Sequence, residues 1–311
     1  MKKTLISGFH YLYNQPYLLL ILTTLFWGGN MVNSRYIASD FGPISLAFLR
    51  WGIALICLTP FAIKYIKTDW QQIKQNWFII TVMAFSGVTT YNTMVYVGVK
   101  DTTAINAVLT TSLGPIIVFV WCFILFKEKI RALQFVAILI SLSGVMLIIF
   151  KGDINNVMDF NVNKGDLIII VAIAFYALYS ALLRKKPQIH WFSFIYITFL
   201  VGELMLIPFF AWELYSQGNQ MFVDVKSIAT LAYISIFASI LAYIFFNRAV
   251  ALVGANVAAT FFHLIPVFGT ILAIIFLGET LYSYHMIGFA LVILGIYLGS
   301  KKTKSPKPES V

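Results

Sequence analysis

Ten apolar stretches follow one another along the chain, and no other feature constrains its fold as much. They run from Pro16 to Ile37, Pro43 to Ile63, Asn76 to Gly98, Ala104 to Phe126, Ala132 to Phe150, Gly165 to Leu183, Trp191 to Trp212, Ser227 to Ala249, Ala255 to Leu277 and Tyr282 to Gly299. About 20 mostly apolar residues are what a helix needs to cross the hydrocarbon of a bilayer. Inside lipid a backbone must satisfy its own hydrogen bonds, which a helix does within one segment. The expected fold class is therefore all-α integral membrane, with ten transmembrane helices. The longest connections hold only about a dozen residues by the same reading, so no soluble catalytic domain fits between the spans. Hydrophobic residues make up 60% of the 311 and charged residues only 11%, well below the roughly 25% of a soluble domain.

The net charge of +10 does not point to nucleic acid, because the basic residues sort by side. Sixteen of the 22 lysines and arginines fall in alternate connections: Lys2, Lys3, Lys64, Lys67, Lys74, Lys127, Lys129, Arg131, Arg184 to Lys186, Arg248 and the tail lysines 301, 302, 304 and 307. The intervening connections hold Lys100, Lys151, Lys164 and Lys226 together with Asp40, Asp101, Asp153, Asp159, Glu213 and Asp224. The positive-inside rule then places both termini in the cytoplasm and makes the number of spans even. The N-terminal lysines precede no small-residue cleavage site, which reads as an uncleaved signal anchor. Cys57 and Cys122 lie inside apolar spans, where a thiol acts as a small hydrophobe; a disulfide framework or a metal site is not expected.

A repeat underlies the spans. Shifting the chain by 151 brings Ala104, Ala107, Leu113, Pro115, Ile124, Glu128 and Gly144 onto Ala255, Ala258, Leu264, Pro266, Ile275, Glu279 and Gly295. A shift of 148 aligns Pro60 with Pro208. Residues 1–150 and 165–300 would each be one five-helix repeat, followed by a basic cytoplasmic tail at 301–311. With five spans per repeat the second copy enters the membrane from the opposite side. Inverted repeats around a midplane site are a recurrent plan of secondary transporters.

The segment "LFWGGNMVNSRYIASDFGPISLAFLRW", with Trp27, Gly28, Arg35, Pro43 and Arg50, and the paired endings "FILFKEKIRALQFVAILISLSGV" and "IIFLGETLYSYHMIGFALVILGI" resemble the drug/metabolite transporter superfamily, EamA type. The second ending fits more closely, with Gly278, Glu279, Gly288 and Gly295, where the first has Lys127 and Ala137. The resemblance covers residues from Leu20 to Gly299. It implies a ten-helix carrier of the plasma or bacterial inner membrane, often an exporter of amino acids, related metabolites or toxic compounds. It also implies a central cavity lined by helices one, three, four, six, eight and nine.

A polar group within a span is costly and is a functional candidate by default. On the first helix Trp27, Asn30 and Asn33 share a face. The third carries Tyr91, Asn92 and Tyr96, the sixth Tyr176, Tyr179 and Ser180, and the eighth Tyr243 and Asn247. These fall on the helices that the resemblance assigns to the cavity, as does His263 on the ninth; interhelical hydrogen bonding is the other reading of each. His263 could contact solute, link transport to protons, or be a neutral imidazole tied to a neighbouring helix. Glu203 should be protonated or paired, and a structural pairing is favoured. Arg50, inside the second span, is ranked above Arg35 as a structural ion-pair residue; either could attract a carboxylate or snorkel to the interface. Glu128 and Glu279 close their spans near water. Pro115 and Pro266 interrupt apolar runs and read as matched flex points of two gates.

Four histidines, at 10, 190, 263 and 285, are scattered, and no catalytic, metal or phosphate-loop motif appears. No cofactor, metal or catalytic residue is expected, and the partners are a small-molecule solute and the bilayer. A carrier without a nucleotide motif runs on a gradient, the solute's own or that of protons. The reading is a secondary transporter, with export the preferred direction. Its alternatives are an intramembrane lipid-acting enzyme or, within transport, a multidrug efflux or uptake carrier. Solute, coupling ion and oligomeric state stay open.

Overall fold

The structure, a computed structural model, describes residues 12–36, 41–102, 107, 110–153, 163–217, 224–277 and 280–301. Gly278, Glu279 and the tail beyond 301 lie outside the described residues, as does the side chain of Arg35. Among the described residues every regular element is a helix. In chain order they are α1 (Pro16–Tyr36), α2 (Pro43–Gln75), α3 (Trp77–Lys100), α4 (Gly114–Phe126), α5 (Ala132–Ile149), α6 (Lys164–Lys185), α7 (Trp191–Gln217), α8 (Val225–Val253), α9 (Ala255–Leu277) and α10 (Ser283–Ser300). Eight of them, all but α1 and α4, are long and apolar enough to cross a membrane. Their outer faces suit lipid: Ile56 and Phe276 are each 74% exposed.

α2 overruns the stretch read from hydropathy farther than any other helix described. α2 continues from Ile63 to Gln75 because neither glycine nor proline follows Pro60. The overhang packs on the start of α7, where Asp69 Oδ2 accepts from the His190 amide at 2.9 Å and Tyr65 stacks on the His190 ring at 3.6 Å. At its other end α2 is capped by a residue of α7. The Glu213 carboxylate, 3% exposed, accepts from the amides of Ile44 (3.1 Å) and Ser45 (2.7 Å), the anion a helix N-terminus favours.

The prolines expected in helix bodies stand elsewhere. Pro115 is the second residue of α4, after a turn at Ser112 and Leu113. Pro266 follows a 3₁₀ turn, Phe261–His263, inside α9. The chain breaks about one turn ahead of each proline and restarts with proline in the first turn, where its missing N–H costs nothing. Pro60 and Pro208 are the prolines within continuous helix.

Packing follows a simple rule. α2 lies on α7, α5 on α10, α3 on α6, α1 on α8, α1 on α9 and α4 on α6; exchanging helix numbers that differ by five returns the same set. At the α5–α10 crossing, a Cβ on Gly144 would stand 2.6 Å from the Gly288 carbonyl oxygen, and one on Gly295 would stand 2.5 Å from that of Ala137. Shifted by 151, Ala137 and Gly144 become Gly288 and Gly295, so these two contacts are each other's counterparts.

Candidate functional site

α3 and α8 each contain one π-helical stretch, Phe85–Thr90 and Ile236–Leu241, and the two are 151 positions apart at both ends. A π-turn pulls carbonyls off the helical ladder and leaves them open to other donors. Gly87 and Ala238 occupy equivalent places in the two turns. The Gly87 carbonyl accepts from Tyr243 Oη at 2.5 Å. That of Ala238 accepts from Trp27 Nε1 at 3.1 Å and Arg50 Nη2 at 3.0 Å. Each freed carbonyl thus receives side chains from outside its own turn.

Around these carbonyls most of the predicted residues come together. Arg50 is 1% exposed. Its Nε donates to Ser239 Oγ at 2.5 Å and its Nη1 to Asn92 Oδ1 at 2.8 Å and Tyr96 Oη at 2.9 Å, while the guanidinium lies 4.9 Å from the centre of the Trp51 ring. Among the described residues no carboxylate pairs with it. The expected ion pair is replaced by four neutral acceptors. On the other side of Tyr243, Tyr179 Oη donates to Asn247 Oδ1 at 2.9 Å.

Aromatic rings fill the space between these polar groups. Tyr176 is 4.5 Å from Tyr91, 5.5 Å from Trp27 and 6.2 Å from Tyr243, centroid to centroid. Phe246 and Phe262 also pack on Trp27, at 5.4 and 5.9 Å. Several polar atoms here are buried without a hydrogen-bond partner among the described residues: Trp51 Nε1, Asn92 Nδ2, Tyr176 Oη and Asn247 Nδ2. Such atoms are rare in native interiors and call for an explanation.

Three predicted residues take other positions. Asn33 Nδ2 donates to the Gly29 carbonyl of its own helix at 2.9 Å, and Asn30 is half-buried on α1. His263 is wholly buried with both ring nitrogens engaged: Nε2 donates to the Ser112 carbonyl at 2.9 Å, and Nδ1 lies 2.5 Å from Ser141 Oγ. A carbonyl can only accept, so Nε2 carries a proton. The imidazole thereby ties α9 to the turn before α4 and to α5. Glu203, 7% exposed, meets no donor or cation among the described residues, contrary to the pairing favoured from sequence. Its Oε1 would lie 3.2 Å from a Cβ on Gly52, and its own helix touches the π-turn of α3 through Thr89 Oγ1, which donates to the Gly202 carbonyl at 2.9 Å.

Sequence reasoning missed Trp51, Ser239 and the two freed carbonyls. Trp51 followed Arg50 in plain view; the carbonyls have no residue-type signal at all.

A helical chain whose long apolar helices expose hydrophobic side chains and gather buried polar groups between them is a multi-pass membrane protein. The sequence model of the EamA-like transporter family matches residues 14–150 and again 163–300. The chain belongs to that family. It is 27% identical over 295 residues to the uncharacterized transporter YyaM of Bacillus subtilis (strain 168), covering 94% of this chain and 95% of that one. An uncharacterized transporter of Archaeoglobus fulgidus is 27% identical over 296 residues, 93% of this chain and 98% of its own. A solved crystal structure shares the fold with a TM-score of 0.73 at 14% identity, over 92% of this chain and 96% of that one.

Proposed function

We propose that the protein is a secondary transporter that exports a small organic solute by alternating access, with the polar and aromatic centre between α1, α3, α6, α8 and α9 as its binding site. The observation that carries this reading is the position of the two π-turns. Each opens a carbonyl to the centre, at places 151 residues apart, one from either family-matched segment. A site built from equivalent parts of two halves is what rocking of one half against the other requires. In this reading the chain spans the bacterial inner membrane ten times as two inverted five-helix repeats, both termini cytoplasmic. The return of the packing list on exchanging helix numbers by five supports that plan.

Trp27, Tyr91, Tyr176 and Phe262 would clasp the body of the solute, while Asn92, Tyr96, Tyr243 and Asn247 offer hydrogen bonds; Asn30 extends this wall along α1. The breaks ahead of Pro115 and Pro266 serve as the flex points. His263, locked to Ser112 and Ser141, acts as the pin between them. Transport runs on the solute's gradient or that of protons, and Glu203, buried beside the π-turn of α3 with no partner on its Oε2 among the described residues, would carry the proton.

Purified protein in liposomes tests the proposal. Saturable flux of an amino-acid-like or drug-like solute is expected, falling about three- to tenfold in Asn92→Ala, as loss of one hydrogen bond implies. Saturable flux left unchanged in Asn92→Ala, Tyr176→Phe and Asn30→Ala would remove this site. No flux for any solute across a broad panel would remove the transport reading.

A further inference from the structure

Resting on the transport reading, we propose that the solute is an organic carboxylate, and that Arg50 holds its carboxylate group. A guanidinium at 1% exposure is a charge taken out of water, and buried charges are ordinarily matched by an opposite one. The four acceptors on Arg50 satisfy hydrogen bonds but bring no negative charge. An arginine has five N–H groups, and these acceptors take four of them.

The unpartnered atoms next to it have a bias of their own. Among the described residues, Trp51 Nε1, Asn92 Nδ2 and Asn247 Nδ2 are buried donors with no acceptor in hydrogen-bonding geometry. The assignment of the amides follows from their partners: Asn92 turns its oxygen to Arg50 and Asn247 turns its oxygen to Tyr179, which leaves each NH₂ free. Tyr176 Oη, also unpartnered, can donate as well. Trp51 lies under the Arg50 guanidinium and 5.5 Å from Tyr243, which in turn is 5.7 Å from Tyr179, the partner of Asn247. A centre whose unpartnered buried atoms are mostly donors, and whose positive charge meets no counter-charge among the described residues, is complementary to a carboxylate, which accepts only. The rings of Trp27, Tyr91 and Tyr176 supply an apolar wall for the remainder of the solute.

The test is binding to the full-length protein in detergent, which does not depend on transport. The probes are 3-phenylpropionate, 3-phenylpropanamide and 3-phenylpropylamine, which share one body, with sodium chloride titrated alone as the inorganic anion. Thermal stabilisation and tryptophan quenching should appear with the carboxylate and be about tenfold or more weaker with the amide and the amine, as the loss of a charge-assisted hydrogen bond implies. Arg50→Gln should abolish the preference. Asn92→Asp places a carboxylate against Arg50 and keeps its hydrogen bond, so it should fold and lose carboxylate binding. Equal binding of acid and amide, equal protection by chloride, or full carboxylate binding in a folded Asn92→Asp variant would overturn the assignment. Flux of a cationic or neutral solute without carboxylate binding would overturn it while leaving transport intact. Carboxylate binding without flux of any solute would keep the anion site and remove the transport reading.

Discussion

His263 Nε2 donates to the carbonyl oxygen of Ser112 at 2.9 Å, joining residues 151 positions apart. Each stands three residues before its proline, Pro266 and Pro115. Under the proposed two-repeat plan these are corresponding residues in contact, which is where an axis relating the halves would pass.

Replacing His263 with Ala leaves the Ser112 carbonyl without this donor in a dry interior and removes the link to Ser141. A loss of about 1–2 kcal/mol is expected, the net worth of one or two hydrogen bonds. Thermal unfolding in detergent measures it, and His263→Gln should recover part of the loss. An unchanged midpoint in His263→Ala would show that the bond does not hold the helix breaks in place.

The α5–α10 crossing has no room for side chains at its glycines. Gly144→Leu and Gly295→Leu should each cost about 1–3 kcal/mol or more through overpacking. Gly269→Ala is the control, because nothing lies within 4 Å of a Cβ there. Yield of monodisperse protein should fall in both leucine variants and stay level in the control.

Lys127 closes α4 in the left-handed region, at φ 55°, with Glu128 N reaching back to the Cys122 carbonyl at 3.4 Å. Glycine is the usual occupant of that conformation. Lys127→Gly should therefore raise stability by about 0.5–1 kcal/mol, the strain relieved less the added freedom of the unfolded chain. A drop in the melting midpoint would contradict the strain.

Asp224 caps α8 by accepting from the amide and hydroxyl of Ser227 at 2.7 and 2.8 Å. Those bonds, the amide first, hold its carboxyl below the ordinary value of 3.8. A depressed carboxyl stabilises the cap fully above the unfolded value and loses that contribution as pH falls through the folded one. Exchange protection of the Ser227 amide should accordingly hold at pH 5 and fade below about 3.8. Loss beginning well above pH 5 would mean the cap does not depend on this charge.

Much of this architecture is written in the sequence and much is not. Apolar stretches reveal the helices because lipid demands about 20 such residues at each crossing. The 151-residue shift is visible at Pro115 and Pro266 because chain direction, unlike surface chemistry, permits few substitutes for proline. The same shift also relates Asn92 to Tyr243 and Tyr96 to Asn247, but the residue types differ, so identity matching passes over them. The π-turns are hidden for another reason. The carbonyls they free belong to Gly87 and Ala238, which have no polar side chain to announce a site. Arg50 stood out as a costly charge, yet an expected carboxylate partner could not be told from an amide and two hydroxyls. Glu213 read as a loop acid because its role, capping α2, lies about 170 residues away in the chain.

Alternating access opens the central site to each face of the membrane in turn, and thiol labelling from both sides reads that opening. Cys57 and Cys122 are first replaced by Ala, and Tyr91→Cys is then introduced beside Tyr176. A membrane-impermeant maleimide applied separately to right-side-out and inside-out vesicles should modify this cysteine from both sides, and a bound solute should slow both reactions. Labelling from one side only, or from neither, would contradict the account.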